Sequence, residues 1–280
     1  MAVSYTREER IATLCIDGRT ERNLMAPDTV YLPLYDALCK YEADDDAWCA
    51  ILRGAGTKAF SAGGDLVAYE KFDEGYGREV SGMLEGKNAA RSLHSLFEGE
   101  VQITKPMVFA VHGLCLGAAT AFVMSYADIV IAAPDARFGL PEIKWGVGAG
   151  VAAVRLQRLL PWPIAMDLYL TGRLMDAEEA FRHGWVNEIA PKEGLMDAAR
   201  AKAQVIVENP PDHIRAAKAI MMSDRRASLA AAREIESMGV DPFFDHPDTR
   251  EGIRAFVEKR KPVFTGRKRR APTAAGVLSE

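Results

Sequence analysis

Three features of the chain predict an α/β fold closed by a helical appendage. Apolar runs of β type alternate with amphipathic segments through the first two thirds. Beyond Lys192 the pattern turns helical only. Glycine-rich turns then join strand to helix at Ser61–Asp65 and at Gly113–Gly117. With 280 residues, 49% hydrophobic and 26% charged, the chain has the composition of a globular protein with a large core.

Val3–Tyr5 and Ile11–Ile16 read as short strands, and Gly18–Asn23 as a polar loop. Asp28 offers a cap for an amphipathic helix running to about Tyr41. Trp48–Leu52 is an apolar strand, followed by the turn Lys58–Leu66. Residues 69–99 are charged and rich in glycine, the character of a lid over a site. Strand Met107–Val111, helix Gly117–Tyr126 and strand Asp128–Ala132 follow. Phe138–Ile143 reads as a turn, because Pro141 pushes Leu140 out of the helical region. Helices are expected over Val151–Leu160, Ile164–Thr171 and Asp176–Arg182, with a strand over Trp185–Ile189. Further helices are expected near Glu193–Glu208, Asp212–Met222, Ala227–Met238 and Pro247–Lys261. The organisation is a core over 1–191, a helical region over 192–265 and a disordered tail over 266–280.

A net charge of −4 gives no electrostatic footprint for nucleic acid. The four cysteines form no CxxC pair, so a reduced cytoplasmic compartment is expected. Charged residues near the start argue against a targeting segment, and no run approaches the roughly 18 apolar residues of a membrane span. No spacing of His, Cys or carboxylates suggests a metal site.

The segment Lys105–Ala121, KPMVFAVHGLCLGAATA, places a glycine-rich turn between a β-type run and a helix. Unpaired main-chain N–H groups at such a helix start stabilise anionic oxygen without a charged side chain. Together with AFSAGGDL, ADIVIA, ARFGLPEI and FVEKRKPVF, in that order, it resembles the crotonase superfamily of enoyl-CoA hydratases and isomerases. The resemblance runs from Arg22-Asn23 to Phe264. It implies a crotonase-type spiral of β-β-α units, with the C-terminal helices serving oligomerisation as a homotrimer or homohexamer.

The chemistry implied is stabilisation of a thioester enolate on an acyl-CoA, with coenzyme A as part of the substrate and no separate cofactor. Two amides aimed at the thioester oxygen are worth on the order of 3–4 kcal/mol each. By position the resemblance assigns them to Ala62 and Ala118. It makes Glu142 the general acid/base, its pKa raised among Leu140, Ile143 and Trp145. Arg22, Phe256 and Lys259 are implied to meet coenzyme A, the last two on a neighbouring subunit's nucleotide. The chain departs from the two-carboxylate hydratases: the position one turn into the helix is Ala121, or Phe122 if aligned on Asp128. Standard syn hydration uses both carboxylates, whereas one suffices to move a proton between two carbons.

Other readings are an acyl-CoA thioester hydrolase of the same fold, suggested by Gly63-Gly64-Asp65, and a non-catalytic acyl-CoA binder. Ala59–Gly63 also approaches a nucleophile elbow with Ser61 as nucleophile, but it lacks the first glycine. His112 reads as a hydrogen-bonded turn residue, and GAGTK at Gly54–Lys58 is too short for a P-loop.

Overall fold

A computed structural model describes residues 2–18, 20–67, 101–147, 150–222 and 247–263. The expected lid over 69–99, the helix near Ala227–Met238 and the tail beyond 266 lie outside the described residues.

The longer strands form one sheet of six, in the order β1-β2-β3-β5-β7-β10. They are β1 (Val3–Glu8), β2 (Ile11–Ile16), β3 (Cys49–Gly54), β5 (Met107–Val111), β7 (Ile129–Ala132) and β10 (Glu188–Ile189). Only the β1–β2 pair is antiparallel; the other pairings are parallel. Parallel strands covered on both faces read as unbroken apolar runs, which is why all five residues of β5 are buried. A second sheet takes the order β4-β6-β8-β9. Its strands are three residues each: β4 (Ala59–Ser61), β6 (Leu114–Leu116), β8 (Arg137–Gly139) and β9 (Leu174–Asp176). Three times over, a strand of the long sheet is followed by one of the short sheet: β3 by β4, β5 by β6 and β7 by β8. This repeated step is the spiral of β-β units that the resemblance implied.

Helix α1 is Leu32–Ala43, α2 Ala118–Tyr126, α3 Gly150–Leu159, α4 Trp162–Thr171 and α5 Ala177–Arg182. Helix α6 is Leu195–Val207, α7 covers 211–222 and α8 is Pro247–Val257. A five-residue π-helical turn, Pro27–Tyr31, precedes α1, so the helix expected from Asp28 begins later, with Tyr31 as its N-cap. The main core lies between the long sheet and α1 and α2, where Phe60, Phe109, Phe122 and Tyr126 stack in succession at 4.9–6.1 Å between ring centroids. On the other face Ile51, Val108 and Ala110 pack with Leu195, Ala199 and Ala203 of α6. Buried Lys105 donates to the Tyr41 and Asp44 carbonyls at the end of α1 (2.8 and 2.7 Å), and Lys218 of α7 donates to the Lys105 carbonyl (2.8 Å). The helical C-terminal region is thereby joined to the strand–helix core.

Two expectations were too coarse. Phe138–Ile143 is not one turn: β8 ends at Gly139 and a 3-10 helix, Pro141–Trp145, follows. The strand expected over Trp185–Ile189 is confined to Glu188–Ile189, after Trp185 has packed its ring on Phe138 at 4.9 Å.

Candidate active site

The start of α2 is the centre of the arrangement. Gly117, its N-cap, has φ 56° and ψ −121°, a conformation that glycine adopts without strain. Its own amide donates to the Gly139 carbonyl (2.8 Å), and the buried Thr120 hydroxyl donates to the Cys115 carbonyl (2.5 Å) while lying 2.9 Å from the Gly139 carbonyl oxygen. Strands β6 and β8 thus fix where the helix begins. No side chain caps the helix, and the Ala118 amide has no acceptor among the described residues. Ala118 and Ala119 keep φ below zero, as alanine at a helix start requires.

The turn after β4 lies against this helix start. A side chain at Gly63 (φ 88°) would meet the Leu116 carbonyl oxygen at 2.5 Å and the Ala118 nitrogen at 3.4 Å. Ala62 is not a free donor there. Its amide donates to the Arg22 carbonyl at 2.8 Å, which removes it from the role that the resemblance gave it. A short parallel bridge pairs Met25 with Gly64. Met25 donates to the Gly63 carbonyl (2.8 Å) and Asp65 donates to the Met25 carbonyl (3.0 Å). In a parallel bridge the central residue's own N–H points to the opposite side. The Gly64 amide therefore faces away from Met25, and it has no acceptor among the described residues. The sequence marks the turn but not which amide is free, because that depends on the pairing with Met25.

Ser61 is fully buried, donates to the Asn23 carbonyl (2.7 Å) and accepts from the Gly63 amide (3.2 Å). A hydroxyl held in this way braces the turn and is not presented as a nucleophile. Asn23 completes the brace from φ 50°, its side-chain amide donating to the carbonyls of Ala55 and Ala59 at 2.9 Å. Arg22 is exposed beside it, and its main chain holds Ala62.

Glu142 enters from the 3-10 helix after β8. A side chain on Gly117 would overlap its carboxyl group, so the carboxyl lies directly on the Gly117 α-carbon, one residue from the Ala118 amide. The residue as a whole is part-buried, but Oε2 is out of contact with solvent and has no hydrogen-bond partner. Burial pushes its pKa up to about 7, against a smaller lowering by a main-chain hydrogen bond of its own. No second carboxylate stands one turn into α2: Ala121 is buried, and Phe122 is a core ring between Phe109 and Tyr126.

Helix α8 packs on the Glu142 turn of its own chain. Phe256 meets Trp145 edge-on at 5.0 Å between centroids. Gly252 is buried against the Trp145 main chain, where any side chain would collide with the carbonyl oxygen. The resemblance assigned Phe256 and Lys259 to a neighbouring subunit's nucleotide; here Phe256 is engaged within the chain. Lys259 is exposed just past α8, at φ 53°.

The family model for enoyl-CoA hydratase/isomerase matches residues 6–267. The chain belongs to this family, within the crotonase superfamily. It is 33% identical over 271 residues to a carnitinyl-CoA dehydratase of Citrobacter koseri, covering 95% of this chain and 99% of that protein. It is 32% identical over 260 residues to a short-chain-enoyl-CoA hydratase of Clostridium acetobutylicum, covering 92% and 95%. The crystal structure of a carnitinyl-CoA hydratase from Mycobacterium avium superimposes with a TM-score of 0.80 at 32% identity, over 95% of this chain and 99% of that one. The protein is thus an acyl-CoA-processing enzyme of enoyl-CoA hydratase/isomerase type. Among the described residues no helix is long and apolar enough to cross a membrane.

Proposed function

We propose that the enzyme moves a double bond along an acyl-CoA thioester, using Glu142 as its one acid/base and the amides of Gly64 and Ala118 to hold the enolate oxygen. The observation that carries this reading is the Glu142 carboxyl seated on Gly117, next to the Ala118 amide, with no second carboxylate one turn into α2. The carboxylate takes a proton from the α-carbon of a 3-enoyl thioester. The electrons shift into a dienolate whose negative charge falls on the thioester oxygen. The same carboxyl then returns the proton at the γ-carbon, giving the 2-enoyl isomer and restoring the carboxylate. Main-chain donors suit the oxygen because they are fixed before reaction and carry no titratable group. Coenzyme A enters as part of the substrate and the steps need no other cofactor. The active form is proposed to be a homotrimer or homohexamer in the cytoplasm, with exposed Arg22 and Lys259 available to phosphate groups.

Mass-spectrometric assays with 2-enoyl- and 3-enoyl-CoAs of graded length test the reading. Isomerisation with little hydration is expected. Net hydration of 2-enoyl-CoA as the main activity would overturn the one-carboxylate scheme, and release of free CoA would point to thioester hydrolysis. Binding measured by calorimetry without turnover of any thioester would make the chain an acyl-CoA binder.

A further inference from the structure

Main-chain amides follow one another through the turn after β4, from Ala62 to Asp65, and all but one are claimed. Ala62 donates to the Arg22 carbonyl (2.8 Å), Gly63 to the Ser61 hydroxyl (3.2 Å) and Asp65 to the Met25 carbonyl (3.0 Å). Gly64 is left without an acceptor among the described residues. Each of the three claims runs back to Asn23. Arg22 precedes it in the chain, Met25 follows two residues later, and its own carbonyl accepts from the Ser61 hydroxyl at 2.7 Å. How Asn23 is held therefore sets where the competing acceptors lie.

It is held by its side chain, and the residue is only 2% exposed. Nδ2 donates to the carbonyls of Ala55 and Ala59, at 2.9 Å each, and lies 3.3 Å from that of Phe60. Oδ1 accepts from the Gly18 amide at 3.1 Å. Only this orientation of the side chain serves both sides, since its oxygen turned toward the carbonyls would meet acceptors alone. The contacts tie the chain ahead of the π-helical turn to the end of β3 and to β4. At Gly18 the fit is close enough that a side chain would meet the Asn23 α-carbon at 2.7 Å. With φ 50°, Asn23 also occupies the left-handed region, which asparagine enters more readily than most residues.

We propose that Asn23 is a positioning residue for the reaction: by fixing Arg22 and Met25 on either side of it, its side chain leaves Gly64, rather than Ala62 or Gly63, as the amide that meets the thioester oxygen. The role presupposes that Gly64 and Ala118 hold that oxygen. Asn23 does not itself touch substrate, because its side chain is engaged by main-chain groups on both sides. Without that side chain the Arg22 carbonyl and the Met25 bridge lose their anchor, the Ala62 amide is released and the Gly64 amide turns from its line. Charge builds on the oxygen only in the transition state, so the loss falls on kcat more than on KM.

The test reads the thioester carbonyl directly, by infrared difference spectroscopy of the full chain with butyryl-CoA or octanoyl-CoA isotope-labelled at that carbon. A saturated thioester has no double bond to move, so its band reports the hydrogen bonds on the oxygen whatever the reaction. In the wild-type protein the bound band should lie below that of the free thioester. Asn23→Gly keeps the left-handed backbone and removes the side chain. Its band should return toward the free position, with kcat lower by about tenfold or more and KM within about threefold. Ser61→Ala breaks the link to the Asn23 carbonyl and releases the Gly63 amide; it should move the band the same way, and it decides the matter if Asn23→Gly does not fold. Tyr41→Phe removes another buried hydrogen bond, to the Pro106 carbonyl at 2.7 Å, and should lower stability without moving the band. A wild-type band position in Asn23→Gly, or in Ser61→Ala where that is the variant that folds, would overturn the role, as would an equal displacement in Tyr41→Phe. A wild-type band no lower than that of the free thioester would instead remove the oxyanion corner itself, and the part of Asn23 with it.

Discussion

Glu142 is where stability and chemistry pull in opposite directions. Its folded-state pKa of about 7 lies above the ordinary carboxylate value of 4.5, so the folded chain holds a proton that the unfolded chain releases. Stability therefore falls as pH rises from about 4.5 to 7, and above that range the ionised carboxylate costs up to about 3 kcal/mol. In the proposed scheme turnover has the reverse dependence, because proton abstraction needs the carboxylate, and kcat/KM should rise through about pH 7. Glu142→Gln should abolish turnover while raising the melting temperature at pH 8 more than at pH 5; equal shifts at both would show that the carboxyl is not the destabilised group. Ala118→Pro is a sharper probe of the oxyanion corner. Proline fits the first position of a helix and removes only an amide that has no intrahelical acceptor. Loss of about 10²–10³ in kcat with an unchanged melting temperature is expected. The motifs around Glu142 and Ala118 drew attention to both residues, and the proposed scheme keeps them. The sequence pointed to Ala62, whose amide is taken by the Arg22 carbonyl, rather than to the unengaged amide of Gly64, because both stand in one small-residue turn and only the Arg22 carbonyl and the Met25 bridge distinguish them.

Elements differ in how plainly the sequence announces them, and length is the reason. The runs in β3 and β5 are long enough to show a continuous apolar pattern. Strands β4, β6, β8 and β9 have three residues each, too few for a period, yet β6 and β8 set the start of α2 and β8 leads directly into the Glu142 turn. Thr120 joins these pieces through the Cys115 and Gly139 carbonyls. Thr120→Val keeps the shape and removes the hydroxyl, so a loss of about 1–3 kcal/mol is expected in urea unfolding. A loss near zero would show that the helix start is held by packing alone. Helix α8 was legible as a helix, but its seat on Trp145 was not, because that depends on Gly252 permitting close approach. Gly252→Ala should lift α8 from the Glu142 turn and lower kcat together with stability. A change in stability without a change in kcat would separate α8 from the site.

At the scale of the whole molecule, the core takes up most of the apolar side chains among the described residues but leaves a group around α4, β9 and α5 unburied. Trp162 is 59% exposed, Leu170 62% and Phe181 48%, each large enough that solvent exposure is costly. Large exposed apolar side chains close together in the chain are the raw material of an interface between copies. The neighbouring polar groups are already paired, as Arg173 is engaged by Asp167 and Glu179, so a partner would meet apolar rings beside a satisfied charge cluster. The proposed trimer or hexamer therefore has a concrete surface to test. Trp162→Glu with Leu170→Glu should shift the light-scattering mass of the purified protein toward a single chain while leaving the circular dichroism spectrum unchanged. An assembly that keeps its mass in this double variant would place the interface elsewhere, and a wild-type chain that already runs as a monomer would remove the assembly altogether.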